Sequence, residues 1–418
     1  MAGVPPTRTD FSTTQKVLWV AGASSAAGVG AAVSGSLATA TYFARKVLTP
    51  DQRRPDDTDI LAVDADRVTL AVSPETVVPG RYGLWLDGGA GHARVGDILE
   101  RYGHADTVVR RLISVDKGTL APGTARWNSY YYWTDPLTSI GLPYRDVAVE
   151  GELGPMPAWL LEPRASNGRW AVLVHGRAAR REECLRALPV LLRLGFTCLV
   201  VTYRNDPTAP PAPDGRYNLG LSEWRDVESA LEYAAAAGAS GAVLGGWSMG
   251  GAVVLQTLKQ TGMADFVESV FLDAPVVDWG DVLAHHARLH HIPPPLRDLG
   301  TLVMGRRATR HLVGVHDPVD VALTNWVARA DEIRHRILIQ HSVDDEFVPA
   351  GPSLALAEAR PDVVTLEPWD TARHCKEWNV DSVRWERVLA DFLTDPAGQE
   401  RNQRPITVPS SSTSTVGT

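Results

Sequence analysis

One serine stands at the centre of Gly246-Trp247-Ser248-Met249-Gly250-Gly251, with a glycine two positions to either side. Ala242-Val243-Leu244 before it reads as a strand, and the residues from Gly251 onward read as a helix. In a strand–turn–helix setting this spacing describes a nucleophile elbow. The serine occupies a strained turn, Gly246 and Gly250 leave room for the reversal, and the hydroxyl is presented at the carboxyl edge of a sheet. A serine hydroxyl is a poor nucleophile until a base takes its proton. A histidine, and an acid to orient it, must therefore come from further along the chain.

Both are present. His341-Ser342-Val343-Asp344-Asp345-Glu346-Phe347-Val348-Pro349 follows the strand-like run Ile337-Leu338-Ile339. An orienting carboxylate belongs in the loop after that strand. Thr371-Ala372-Arg373-His374 follows Val363-Val364-Thr365-Leu366, the last such run. The order Ser248, Asp345, His374 is the one such a sheet requires.

With these motifs in place, residues 146–394 resemble an α/β-hydrolase of the esterase and prolyl-oligopeptidase-like branch. His341…Asp345…Val348-Pro349 is similar to the family's acid-bearing stretch H-G-x-x-D-x-x-V-P, with Ser342 in place of the glycine. The match assigns the acid to Asp345 rather than Asp344. Asp273, in Leu272-Asp273-Ala274-Pro275, serves as acid in some relatives and is a further alternative. His175-Gly176, after the run Trp170–Val174, resembles the family's oxyanion motif; the bland alternative is a plain turn. The resemblance implies that the backbone N–H groups of Arg177 and Met249 face a developing oxyanion. It implies two-step acyl transfer through Ser248 and His374, with no metal and no cofactor.

Other residues have two readings. His285-His286 and His290-His291 have spacings open to metal ligation. No Cys, Asp or Glu lies within the cluster, so a polar lid surface is expected instead. Arg177, Arg180 and Arg181 are either helix-end charges or a site for an anionic substrate group. Tyr130-Tyr131-Tyr132-Trp133 is expected to pack between domains, with a cleft lining as the alternative. Cys375 is expected to be a small apolar neighbour of His374, and Tyr203-Arg204-Asn205 to be architectural.

The elements that must position these groups follow from periodicity. Short apolar runs alternate with helical patterns after residue 145, as in a mostly parallel doubly wound sheet. Residues 63–145 alternate with turn signals such as Pro79-Gly80 and read as a small antiparallel accessory β domain. The expected organisation is a tail (1–16), a hydrophobic helix (17–44), a linker (45–62), that β domain, the hydrolase domain (146–395) with a lid insert (276–335), and a disordered tail (396–418). Residues 17–44 carry no charge, which exceeds the roughly 20 residues a bilayer requires. A single-pass membrane anchor is expected, with a cleaved signal peptide ending near Ala38-Thr39-Ala40, or a soluble Ala/Gly-rich helix, as alternatives.

Composition sets the outer bounds. The 418 residues carry 41 Lys+Arg against 49 Asp+Glu, a net charge of −8, which argues against phosphate-neutralising nucleic-acid binding. Three cysteines cannot form a disulfide framework. The expected protein is a membrane-tethered serine hydrolase acting on a small-molecule ester or thioester. The alternatives are a prolyl-oligopeptidase-like peptidase taking short peptides and a non-catalytic binding module. About 80 residues is too short for the usual propeller of that peptidase class. The oligomeric state is left open.

Overall fold

The structure is a computed structural model that describes residues 37–50, 55–102 and 106–395. Two compact units divide the chain: one joins the residues up to Val47 with Ala287–Asp320, and the other contains Leu48–His286 and the residues from Val321 onward.

Helix α1 covers residues 37–48. In the first unit, Gly300 approaches it closely: a Cβ at Gly300 would lie 3.2 Å from the Ala40 carbonyl oxygen. Residues 17–36 of the expected membrane segment, like 1–16 and 396–418, lie outside the described residues. Among the described residues no helix is long and apolar enough to cross a membrane. The expected single-pass anchor, and the membrane association drawn from it, are corrected on that ground. At about 1.5 Å per residue the described turns of α1 span roughly 18 Å, short of a core of ~30 Å, and Arg45 and Lys46 sit inside the helix.

The second unit opens with a closed antiparallel barrel. Its strands are β1 (Thr58–Val63), β2 (Arg67–Ala71), β3 (Tyr82–Leu86), β4 (Gly91–Tyr102), β5 (Thr107–Lys117) and β6 (Gly123–Asn128), in the order β1-β2-β5-β4-β3-β6. Closure brings Thr58 opposite Ala125. Val68 and Leu70 point inward from β2, and Leu84, Ala93, Val95 and Val108 fill the same core. β1 starts inside the stretch expected to be linker. Thr58 and Ile60 are buried while Asp59 and Leu61 face outward, an alternation that the surrounding acidic residues obscure. Arg110 is fully buried in this unit. Its guanidinium donates to the carbonyls of Gly96 (2.9 Å), Thr76 (2.8 Å), Val78 (2.8 Å) and Gly80 (2.7 Å). Burial lowers its pKa to about 10.

Helix α2 (Pro136–Ile140) leads into an eight-stranded sheet. Its strands are β7 (Arg145–Gly151), β8 (Gly154–Leu161), β9 (Trp170–Val174), β10 (Thr197–Val201), β11 (Ala242–Trp247), β12 (Val267–Asp273), β13 (Arg336–Ser342) and β14 (Val364–Trp369). The order is β14-β13-β12-β11-β9-β10-β8-β7. β7 and β8 form an antiparallel hairpin, and β8 pairs antiparallel with β10; the six strands from β10 to β14 pair in parallel. β9, β10 and β11 are buried along their whole length, as strands covered on both faces must be.

The helices are α3 (Leu188–Arg193), α4 (Trp224–Ala236), α5 (Met249–Gln260), α6 (Trp279–Leu289), α7 (Pro294–Gly305), α8 (Arg310–Val313), α9 (Gly351–Ala359), α10 (Glu377–Val380) and α11 (Ser382–Thr394). A 3₁₀ turn, Arg181–Ala187, runs directly into α3. The expected α/β-hydrolase fold preceded by a small antiparallel β domain is borne out.

Candidate active site

The elbow forms because β11 must stop and α5 must start with one residue between them. That residue, Ser248, has φ 49° and ψ −117°, a conformation that side chains disfavour. Three backbone bonds hold it there: its N–H donates to Asp273 O, and its carbonyl accepts from Gly251 N and Val276 N, all at 3.0 Å. The flanking glycines are a steric requirement. A Cβ on Gly246 would lie 2.7 Å from Gly250 O, and one on Gly250 would overlap the carbonyl oxygens of Val174 and His175.

Ser248 Oγ lies 3.0 Å from His374 Nε2, and His374 Nδ1 lies 2.7 Å from Asp345 Oδ2. Asp345 sits in the loop after β13. Its Oδ1 accepts from the backbone N–H groups of Phe347 and Val348, both at 2.8 Å, and His341 Nε2 lies 3.2 Å from its Oδ2. Burial opposes the charge of this carboxylate, but the two histidines outweigh burial and hold it well below the usual carboxylate range. Burial likewise opposes protonation of His374, and Asp345 outweighs it, so its pKa is raised above the ordinary value. The ring of Phe347 is tilted against that of His374, centroids 5.2 Å apart.

The alternative acids are engaged elsewhere. Asp344 Oδ1 accepts from Ser342 Oγ (2.6 Å) and from Arg373 N (2.8 Å), so it ties the acid loop to the histidine loop. Asp273 Oδ2 accepts from Trp385 Nε1 at 2.8 Å.

The loop after β9 comes close to the serine: a Cβ on Gly176 would lie 3.1 Å from Ser248 Cβ. Gly176 N donates to Glu183 Oε2 (2.7 Å), its carbonyl accepts from Tyr203 OH (2.9 Å), and Ala178 N donates to Tyr217 OH (3.2 Å). The Arg177 amide lies between these anchored neighbours. His175 is fully buried, with Nε2 2.7 Å from Asp206 Oδ2 and its ring stacked on Tyr203. Met249 is the first residue of α5, so its amide has no partner within that helix.

The side chains of Arg177 and Arg181 turn to different partners. The Arg177 guanidinium donates to Thr49 O (2.8 Å), and that of Arg181 lies 4.2 Å from the Trp159 ring centroid. The Arg180 amide donates to Tyr130 OH at 2.9 Å. His285 and His286 reach the backbone carbonyls of Glu346 (2.8 Å) and Phe347 (2.9 Å), beside the acid. His290 and His291 are exposed, and no cluster able to hold a metal occurs among the described residues. Tyr131 and Tyr132 pack on Trp378, ring centroids 6.1 and 5.5 Å away. Cys375 is buried, and Arg204 pairs with Asp226 at 2.8 Å. Glu183 and Tyr217, which anchor the loop after β9, carry no motif that sequence reasoning can detect.

Comparison with known proteins adds the following. Residues 59–128 match a family described as a domain of unknown function, DUF8805. No curated protein matches the chain. Solved structures with a similar fold include an esterase of Pyrococcus furiosus (17% identity, TM-score 0.47, 62% of this chain and 92% of that one). Others are an esterase of a Rhodococcus species (19%, TM-score 0.43, 60% and 98%) and a Xanthomonas campestris serine hydrolase without a lid (16%, TM-score 0.41, 59% and 93%). Residues 171–408 match the alpha/beta hydrolase family. That match spans more than half of the sequence and runs from β9 through the elbow to the histidine loop, so the chain belongs to the alpha/beta hydrolase family and is a hydrolase.

Proposed function

We propose that this hydrolase cleaves carboxylic esters or thioesters through an acyl-enzyme on Ser248. The observation that carries the reading is the unbroken line from Ser248 Oγ to His374 (3.0 Å) to Asp345 (2.7 Å) at the end of a strained elbow. His374 Nε2 takes the hydroxyl proton as Oγ attacks the acyl carbon, and the negative oxygen is received by the amides of Arg177 and Met249. The carbon–leaving-group bond breaks, and His374 gives its proton to the departing alcohol or thiol. A water then attacks the acyl carbon and gives a proton to His374. That proton returns to Ser248 Oγ as the acid leaves.

The test is a panel of p-nitrophenyl acyl esters, acyl thioesters and dipeptidyl anilides, together with fluorophosphonate labelling. Turnover of the esters, and a loss of about 10³-fold or more with abolished labelling in Ser248→Ala, is the expected result. Turnover of the anilides alone would reassign the enzyme to the peptidases. Unchanged ester turnover in Ser248→Ala would defeat the reading.

A further inference from the structure

His374 is held between two residues in the left-handed region, Arg373 (φ 61°) and Cys375 (φ 52°). Two left-handed residues flanking a single side chain are disfavoured unless the surroundings enforce them. The loop's own domain supplies the Arg373 N–Asp344 bond and an ion pair from Arg373 to Glu346 at 3.1 Å. The same domain adds Arg186 Nη1 donating to Cys375 O at 2.7 Å and Ala372 N donating to Ser342 Oγ at 2.9 Å. A further set of contacts comes from the barrel, nearly 300 positions earlier.

Glu75, in the loop between β2 and β3, reaches both sides of the histidine. Its Oε1 lies 2.9 Å from Arg373 Nε, and its Oε2 pairs with Lys376 Nζ. The pairs are largely sheltered, with side-chain exposures of 30%, 20% and 11% for Glu75, Arg373 and Lys376. One backbone bond and one side-chain bond join the same two segments. Arg81 N donates to Asn379 O at 2.9 Å, and Asn379 Nδ2 donates to Arg81 O at 2.7 Å.

The barrel loop is itself rigid. Thr76 and Ser73 cap each other, with Ser73 N to Thr76 Oγ1 at 2.8 Å and Thr76 N to Ser73 Oγ at 3.1 Å. The buried Arg110 grips the carbonyls of Thr76, Val78 and Gly80 on this loop. A loop tied this firmly on its own side can transmit position to what it touches.

We infer that the barrel braces the catalytic histidine, and that Glu75 is a positioning residue that fixes His374 by holding Arg373 and Lys376 on either side of it. This rests on the reading of His374 as the general base. Chemistry at a serine depends on sub-ångström placement of its base, and a displacement of about 1 Å costs on the order of 10²-fold in rate. Glu75 acts on His374 through its neighbours Arg373 and Lys376, so the expected loss falls on turnover.

The experiment compares the full chain with Glu75→Gln, Glu75→Asp, Arg373→Gln, the double variant Glu75→Gln/Arg373→Gln, Glu100→Gln and His374→Ala on one p-nitrophenyl ester. Glu100 is the control, because its pair with Arg67 (3.4 Å) lies within the barrel. Glu75→Gln should lower kcat about 10- to 100-fold and slow fluorophosphonate labelling by the same factor, with KM within about twofold. Glu75→Asp, which keeps the charge, should fall between it and the parent, and Glu100→Gln should match the parent. The double variant should lose less than the product of the two single losses, because the two changes share the Glu75–Arg373 contact while Glu75 also holds Lys376. An unchanged kcat in Glu75→Gln, or a rise in KM alone, overturns the brace while His374→Ala remains inactive. An active His374→Ala overturns the proposed mechanism instead. Should Glu75→Gln not fold, a kcat for Arg373→Gln within about twofold of the parent overturns the brace on its own.

Discussion

His341 and His374 converge on one carboxylate oxygen, Asp345 Oδ2, at 3.2 and 2.7 Å. With Oδ1 held by two backbone amides, the carboxylate has no freedom to rotate. Asp345→Asn should therefore lower kcat by about 10³- to 10⁴-fold with little change in KM, because an amide cannot hold the imidazole in the same tautomer. Asp344→Asn should cost about tenfold or less, since Asp344 acts only on backbone and Ser342. Steady-state kinetics on both variants checks the assignment, and the reverse ranking would transfer the acid to Asp344.

The raised pKa of His374 sets the sign of the pH dependence. As the proposed base, His374 works only when neutral, so kcat/KM should rise with pH through a single step centred above the ordinary histidine value of about 6.5. Replacing Asp345 by Asn removes the charge that outweighs burial, so the step should move to lower pH. A step that stays in place in Asp345→Asn would separate the pH dependence from this pair.

Gly250→Ala tests the packing of the elbow. The added methyl would collide with the carbonyls of Val174 and His175, which are backbone and cannot step aside. Such overpacking costs about 1–3 kcal/mol. A lowered thermal midpoint together with lost activity is expected, and a variant with unchanged midpoint and rate would show that the turn has more room than these contacts allow.

Glu377 and Asp273 form a buried acid pair near the proposed triad. Glu377 is fully buried, and its Oε1 accepts from Ser342 N at 3.0 Å. Burial, followed by the neighbouring Asp273 carboxyl, pushes its pKa well above the ordinary value of 4.5. A raised acid keeps its proton in the folded state after the unfolded chain has released it, so stability falls as pH rises above about 4.5. Glu377→Gln mimics the protonated form and removes that slope. The midpoint of Glu377→Gln relative to the parent should increase as pH is raised above about 4.5; a constant difference would mean that Glu377 is charged in the fold.

Some of this architecture is legible in the sequence because it is written locally. The elbow, the acid stretch and the histidine loop each occupy fewer than ten consecutive residues, and each follows a short apolar run that only a covered strand explains. β1 is harder to see, because Thr58 and Ile60 alternate with outward-facing residues inside an acidic segment. The Ala, Gly and Ser residues of 17–44 satisfy a length criterion for a membrane helix without the apolar content, so length alone misleads there. Glu75 meets Arg373 across 298 positions, and Glu183 reaches Gly176 from a 3₁₀ turn. Neither contact leaves a spacing to read, because each exists only once the chain has folded.

Closure of the barrel sets its two ends side by side. β1 and β6 are hydrogen-bonded neighbours, so the chain enters and leaves this module about one strand spacing apart, ~4.8 Å. Just upstream, Leu48 O accepts from Tyr217 N, and Thr49 is bonded to Arg177 and Arg216, beside the loop after β9. The barrel is thus a cassette spliced between two points on its host. With its ends adjoining, the barrel closes on itself and leaves the eight-stranded sheet unbroken.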